Sequence, residues 1–299
     1  MRRREALTLL TSAAVAAASP SMGAEAVQRR PIPGTKETLP AIGFGSSKVV
    51  SEIPKHGPAP LAQVLDALVA GGGSVVDTWP RDFANDRVFG EVIAAPNLKD
   101  RLFVTTKIDR TGKDAGLAQL KESMTLYKRR VIDLAQIFSL TDLETHWPTL
   151  QEMKAAGRAR YIGVTVSQYE LYPALEEFLQ REKPDFVQMN YSITERRAEE
   201  RLLPLARDKG VAVMINRPFM NGAYFQRLAK TPLPAFAADF GCESWAQFSL
   251  KYILAHAGVT VVLTETSQAR HIAENLRAAT GKLPDAAQRA AMTAFIDKV

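Results

Sequence analysis

The chain has 299 residues, 46% of them hydrophobic and 23% charged, and a formal net charge of +6. These proportions suit a soluble globular protein and exclude a disordered or membrane-embedded one. The 38 Lys and Arg are interspersed with 32 Asp and Glu, with no Arg-rich tract interleaved with aromatics, so nucleic acid is not an expected partner.

The first element reads as a leader. Arg2, Arg3 and Arg4 precede an apolar run over residues 6–18, then Ser19-Pro20 and the small-residue site Ala24-Glu25-Ala26. That layout predicts a signal peptide over 1–26, and the paired arginines with Leu7 close behind resemble a twin-arginine signal. The expected location is therefore exported and periplasmic. The apolar run is too short to span a bilayer, so no stable membrane insertion is expected once the signal is removed.

Residues 27–299 are expected to form one domain. Gly43-Phe44-Gly45 reads as a short segment that caps a barrel floor or begins a hairpin. Beyond it, short β-branched runs at 74–77, 102–107, 134–138, 161–165, 186–190, 211–216 and 259–264 read as strands. Amphipathic stretches lie between them, and those at 61–70, 148–156 and 199–209 each stop at a glycine. This alternation points to a parallel sheet, either an α/β single-domain (β/α)8 TIM barrel or a doubly wound open sheet; no G-x-G-x-x-G follows the first strand, which favours the barrel. The stretch 219–240, with Pro232 and Pro234, reads as a long loop and a candidate lid. Cys242, the only cysteine, precedes a helix over 245–255 and is expected to be a small buried side chain. With one cysteine and no ligand spacing among His56, His146 and His256, no metal site is expected.

Several blocks in order resemble the aldo/keto reductases: Leu39-Pro40-Ala41-Ile42-Gly43-Phe44-Gly45, Val75-Val76-Asp77-Thr78, Phe103-Val104-Thr105-Thr106-Lys107, Ile132-Asp133-Leu134-Ala135-Gln136-Ile137, the run from Gly157 to Thr165, and Val187-Gln188-Met189-Asn190-Tyr191-Ser192. The resemblance implies the barrel, an NADP or NAD cofactor, and carbonyl chemistry carried by an Asp, Tyr, Lys and His tetrad. Asp77 and Lys107 match two of the four and are expected side by side at the mouth, ending the first and second barrel strands. An ungapped count puts Asp82 at the tyrosine, and Phe138, followed by Ser139, at the histidine. Asp82 is then the candidate acid, with its pKa pulled down by Lys107 and up by Asp77. Trp79, Phe138 and Ser139 are expected to line the substrate pocket, and Tyr191, Tyr224 and His146 are further candidates for a proton donor from a loop.

The same resemblance implies a cofactor set of Gly43, Thr165, Gln188, Asn190, Asn216, Arg217, Thr266, Ser267, Arg270, His271 and Asn275. Glu265 stands where the family places a lysine or glycine, and a carboxylate there disfavours phosphate by direct repulsion. The expected function is nicotinamide-dependent reduction of a small carbonyl, or its reverse. The alternative is a barrel that binds a ligand or partner without reducing it.

Overall fold

The computed structural model describes residues 25–79 and 83–299. The expected signal peptide, apart from its last two residues, and Asp82 lie outside the described residues. Among these residues no helix is long and apolar enough to cross a membrane.

A hairpin of β1 (Arg29–Pro31) and β2 (Thr38–Pro40) comes first. Eight parallel strands follow and close into a barrel: β3 (Ile42–Gly45), β4 (Val75–Asp77), β5 (Phe103–Ile108), β6 (Ile132–Phe138), β7 (Ala159–Thr165), β8 (Phe186–Asn190), β9 (Ala212–Asn216) and β10 (Val261–Glu265). Helices α1 (Ser47–Ser51), α2 (Ile53–His56), α3 (Ala59–Ala70), α4 (Phe83–Ile93), α5 (Lys113–Leu126), α6 (Leu143–Ala155), α7 (Tyr172–Arg181), α8 (Leu202–Asp208), α9 (Ala223–Arg227), α10 (Trp245–Leu254), α11 (Ala269–Arg277) and α12 (Ala286–Ile296) lie between and after the strands.

The sequence expectation of a barrel holds, with one strand misassigned. Residues 42–45 neither cap the floor nor begin a hairpin; they are the strand that joins β10 to β4 and closes the sheet. Four residues with two glycines lack the β-branched density that marks the other strands. Asp77 therefore ends the second barrel strand, and Lys107 lies on the third. The floor is plugged by the β1–β2 hairpin instead, whose Ile32 and Leu39 pack with Val75, Phe103, Leu134, Tyr161 and Phe186 inside the barrel.

Alternation divides each strand between two cores. Odd or even positions such as Leu134 and Phe186 fill the interior, while Ala135, Ile137 and Val187 face the helical layer. Gly157 and Gly210 end α6 and α8 at φ of 66° and 65°, a left-handed step that glycine takes without a Cβ penalty, and turn the chain into the next strand. The 219–240 stretch is not an open loop. It contains α9 and two 3-10 helices, and Tyr224, Leu228, Ala237 and Phe240 are buried in the outer core.

One ionic knot ties the β8 loop to the helical layer. Glu199 Oε1 accepts from the hydroxyls of Tyr191 and Tyr252, the latter at 2.6 Å, and from Arg289 Nη2 at 2.7 Å. Burial alone would raise the Glu199 carboxyl, but those hydroxyls and the Arg289 charge outweigh it and hold the group below the usual glutamate value of 4.5.

Two outcomes follow. A Cβ on Gly163 would sit 2.2 Å from the Phe186 carbonyl oxygen, so Gly163→Ala must push β8 away from β7 and should cost about 3 kcal/mol or more in urea unfolding. A depressed carboxyl contributes stability above its unfolded value that is lost as pH falls through the folded one. The margin of wild type over Glu199→Gln, measured by thermal melts, should therefore be full above about pH 4.5 and shrink below it.

Candidate active site

Following the pairing register once around the barrel returns to β4 displaced by eight residues, the shear of this architecture. Inward side chains of alternate strands therefore share a tier. Nearest the mouth, on the chain continuing β4, β6, β8 and β10, are Trp79, Phe138, Asn190 and Glu265. The next tier, from the odd-numbered strands, holds Gly45, Lys107, Thr165 and Asn216. Beneath it lie Asp77, Gln136, Gln188 and Leu263. The side-chain contacts agree: Gln188 Nε2 donates to Asp77 Oδ2 across the barrel at 3.2 Å, and the Trp79 and Phe138 rings stack with centroids 4.6 Å apart.

Asp77 and Lys107 form an ion pair, Nζ to Oδ1 at 2.6 Å, with side chains 13% and 4% exposed. Lys107 also donates to the Thr78 carbonyl at 2.7 Å. Asp77 Oδ1 accepts in addition from the Thr105 hydroxyl at 2.5 Å. The carboxylate thus has a charged and a neutral donor on one oxygen and an amide on the other, an arrangement that fixes its orientation. Thr78 passes its own hydroxyl to the Thr105 carbonyl and lies 3.1 Å from the phenol of Tyr127, which burial and the Asp86 charge keep protonated.

The mouth above this pair is apolar on one side. The Trp79 indole N–H is committed to Asp109 Oδ2 at 3.0 Å, and Asp109 is itself held by Gln119 at 2.7 Å, so Trp79 presents a fixed platform against Phe138. Ser139 has left-handed backbone, φ 51°, and its hydroxyl turns to Gln168 Oε1 at 3.1 Å rather than across the mouth.

The opposite side carries amides. Gln188 Oε1, Asn190 Oδ1 and Asn216 Oδ1 are buried without a protein partner, while Asn190 Nδ2 is tied to the Ser167 carbonyl at 2.8 Å. Thr165 is buried beside them, and Arg217 is exposed with left-handed φ of 52°. Gly43 is not brought to the mouth. It lies inside the barrel, where a Cβ would meet Leu263 and Val75 at 3.0 Å, so its role is close packing.

Past β10, Thr266 Oγ1 lies 3.2 Å from His271 Nδ1 and accepts from the Gln268 N–H, which turns this hydroxyl into the first turn of α11. Arg270 is exposed and bonded to Gln268, Ser267 is half-buried, and Asn275 is buried. The Glu265 side chain is exposed, and its carboxylate accepts the Lys48 backbone N–H at 2.6 Å, at the start of α1.

The three loop groups considered as proton donors are elsewhere. Tyr191 points out of the barrel to Glu199 and Arg289, with burial holding its phenol protonated. Tyr224 packs against Phe219 and Trp245. His146 is fully buried against Gly116, 2.6 Å from the Arg110 carbonyl. Cys242 is buried, and desolvation pushes its thiol up to about 12, so it is inert. Among the described residues no group of three or more His, Cys, Asp or Glu is placed to hold a metal ion.

Sequence reading missed Gln136, Thr105 and Tyr169. Gln136 is two residues before Phe138 on β6, and counting back by the strand period would have placed it inward. Tyr169, after β7, has a buried hydroxyl near Glu195 and Asn190; burial, followed by the Glu195 carboxylate, raises it to about 12.

The profile of the Aldo/keto reductase family matches residues 41–294. The chain belongs to the aldo/keto reductase family. It is 25% identical over 250 residues, 71% of this chain and 73% of the other, to a protein of Escherichia coli named NADH-specific methylglyoxal reductase. The holo form of an aldo-keto reductase from Bacillus halodurans superimposes with a TM-score of 0.73 at 20% identity, over 90% of this chain and 96% of that one. An aldo-keto reductase from Klebsiella pneumoniae in complex with NADPH gives 0.72 at 20% identity, over 91% and 95%. These structural likenesses establish the shared fold.

Removing the carboxylate would take the Asp77 charge away from the buried Lys107 ammonium. Asp77→Asn should cost about 3–5 kcal/mol in urea unfolding, with part of the loss recovered in the Asp77→Asn/Lys107→Met double variant.

Proposed function

We propose that this chain is a nicotinamide-dependent oxidoreductase of aldo/keto reductase type, acting on a small carbonyl or the corresponding alcohol. The observation that carries this reading is the set of three buried, unpartnered amide oxygens, Gln188 Oε1, Asn190 Oδ1 and Asn216 Oδ1, gathered above and around the Asp77–Lys107 pair. Leaving such acceptors unmade costs about 1–3 kcal/mol each, and the donors of a carboxamide and its ribose would satisfy them. The residues present thus fit the nicotinamide end of a dinucleotide, with Gln188, Asn190, Asn216 and Thr165 holding it.

The cofactor, when bound, supplies the hydride. Lys107, held in place by Asp77 and the Thr78 carbonyl, supplies positive charge where an alkoxide would develop, and its low-dielectric setting strengthens that effect. Phe138 stands where relatives carry a histidine and gives no proton. Asp82, which an ungapped count of the sequence sets at the tyrosine, is the proposed acid; general-acid help of this kind is worth about 10²–10⁴ in rate. The Trp79–Phe138 platform favours a substrate whose carbonyl is carried on an apolar or planar body.

Glu265 points to NAD rather than NADP. Its carboxylate is pinned on the Lys48 N–H, so negative charge stays at the end of β10, close to the Thr266–Asn275 run proposed to take the adenosine phosphates. The relative named as NADH-specific accords with this. Export is also proposed, on the arginines, apolar core and cleavage pattern of residues 1–26; a fusion of residues 1–30 to a reporter should leave the cytoplasm.

A second reading, a barrel that binds a ligand without reducing it, is favoured by one feature. The Trp79–Phe138 stack fills the side of the mouth that would otherwise hold a polar proton donor.

Titration of the purified protein by fluorescence distinguishes these readings. NADH should quench with at least about tenfold higher affinity than NADPH, and Glu265→Lys should narrow or invert that ratio. Quenching by neither at millimolar concentration would sink the oxidoreductase reading. If cofactor binds, Asp82→Tyr with Phe138→His should raise aldehyde reduction, read as oxidation of NADH.

A further inference from the structure

Gln136 is fully buried in the tier of Asp77 and Gln188, and neither its Nε2 nor its Oε1 has a protein partner. Burying an amide in this way costs about 1–3 kcal/mol, so packing alone would be better served by leucine, which has similar bulk and no polar atoms. In the same tier, Gln188 commits Nε2 to Asp77 Oδ2 and leaves Oε1 unpartnered. A free amide donor and a free amide acceptor thus face the barrel axis just beneath Lys107. Phe138, next above Gln136 on the inward face of β6 and stacked on Trp79, roofs this space. Leu263 completes the tier without a polar atom.

We propose that Gln136 holds a trapped water on the barrel axis, shared with Gln188 Oε1, and that this water keeps the Gln188 amide turned toward Asp77. An internal water needs two to four polar partners, and Gln136 Nε2, Gln136 Oε1 and Gln188 Oε1 supply three. Gln136 is then a positioning residue. It acts through Gln188 on the ion pair, and on the dinucleotide that Gln188 faces; the second consequence rests on the nicotinamide reading above, whereas the water does not.

The test pairs wild type with Gln136→Leu. A crystal structure of the wild type that resolves ordered waters should show one within hydrogen-bond distance of both the Gln136 amide and Gln188 Oε1. In Gln136→Leu that water should be gone and the Gln188–Asp77 contact lengthened, while the melting temperature is equal or higher because a buried amide and its immobilised water are replaced by an apolar side chain of similar bulk. NADH affinity, read by fluorescence quenching, should fall about tenfold in the variant. A merely structural glutamine would lower the melting temperature and leave NADH affinity unchanged. A dry wild-type interior overturns the proposal, as does a variant with unaltered Gln188 geometry or unaltered NADH affinity. If the wild type binds neither NADH nor NADPH, the nicotinamide reading fails by itself, and the water and the Gln188–Asp77 distance in the two crystal structures decide the positioning role.

Discussion

A lysine ammonium taken out of water at the top of a barrel costs several kcal/mol unless its charge and its N–H groups are met, and much of this site is organised around meeting them for Lys107. Asp77 supplies the counter-charge at 2.6 Å, and the Thr78 carbonyl, from the residue after Asp77, supplies a second acceptor. Asp77 must in turn be held, by the Thr105 hydroxyl from the strand beside it and the Gln188 amide from across the barrel. The pair works only if β4, β5 and β8 keep their register, because a slip of one residue would send each of these groups to the outer face. That register is enforced at Gly163, where the β8 backbone approaches too closely for any side chain.

Around this charged centre the mouth has two characters. Trp79 and Phe138 make a rigid apolar wall, fixed through Asp109 and Gln119. Facing it are amide oxygens from β8 and β9 that have no protein donor, and beyond them a carboxylate, Glu265, fastened to the start of α1. Such a site gains most from a ligand rich in N–H and O–H groups, since each unpaired buried acceptor is costly until it is met. It gains least from one that brings a phosphate close to Glu265.

Much of the fold was legible because helix, glycine and β-branched run recur so regularly. The strand at 42–45 was not, since glycines carry no side-chain pattern and its identity depends on β10 and β4 reaching it from both sides. The stretch 219–240 looked like a loop because its prolines and short helical turns lack a periodic apolar stripe; Tyr224, Leu228 and Phe240 bury it all the same. At the site, Asp77 and Lys107 were visible as polar residues at strand ends. Gln136, Thr105 and Tyr169 were not, because the strand period gives the face a residue takes but not which groups its side chain meets across the barrel.

The sequence by itself determined the alternation of strand and helix, the burial of alternate positions, and the presence of an acid and a lysine at neighbouring strand ends. These are local properties, set by side-chain period and backbone preference. Only the tertiary structure decided which side chains share a tier. Closure with a shear of eight brings Asp77, Gln136 and Gln188 to one level although they lie far apart in the chain, stacks Trp79 on Phe138, and turns Glu265 onto the Lys48 N–H. No stretch of sequence carries that information, because it arises from the angle at which eight strands must tilt to meet.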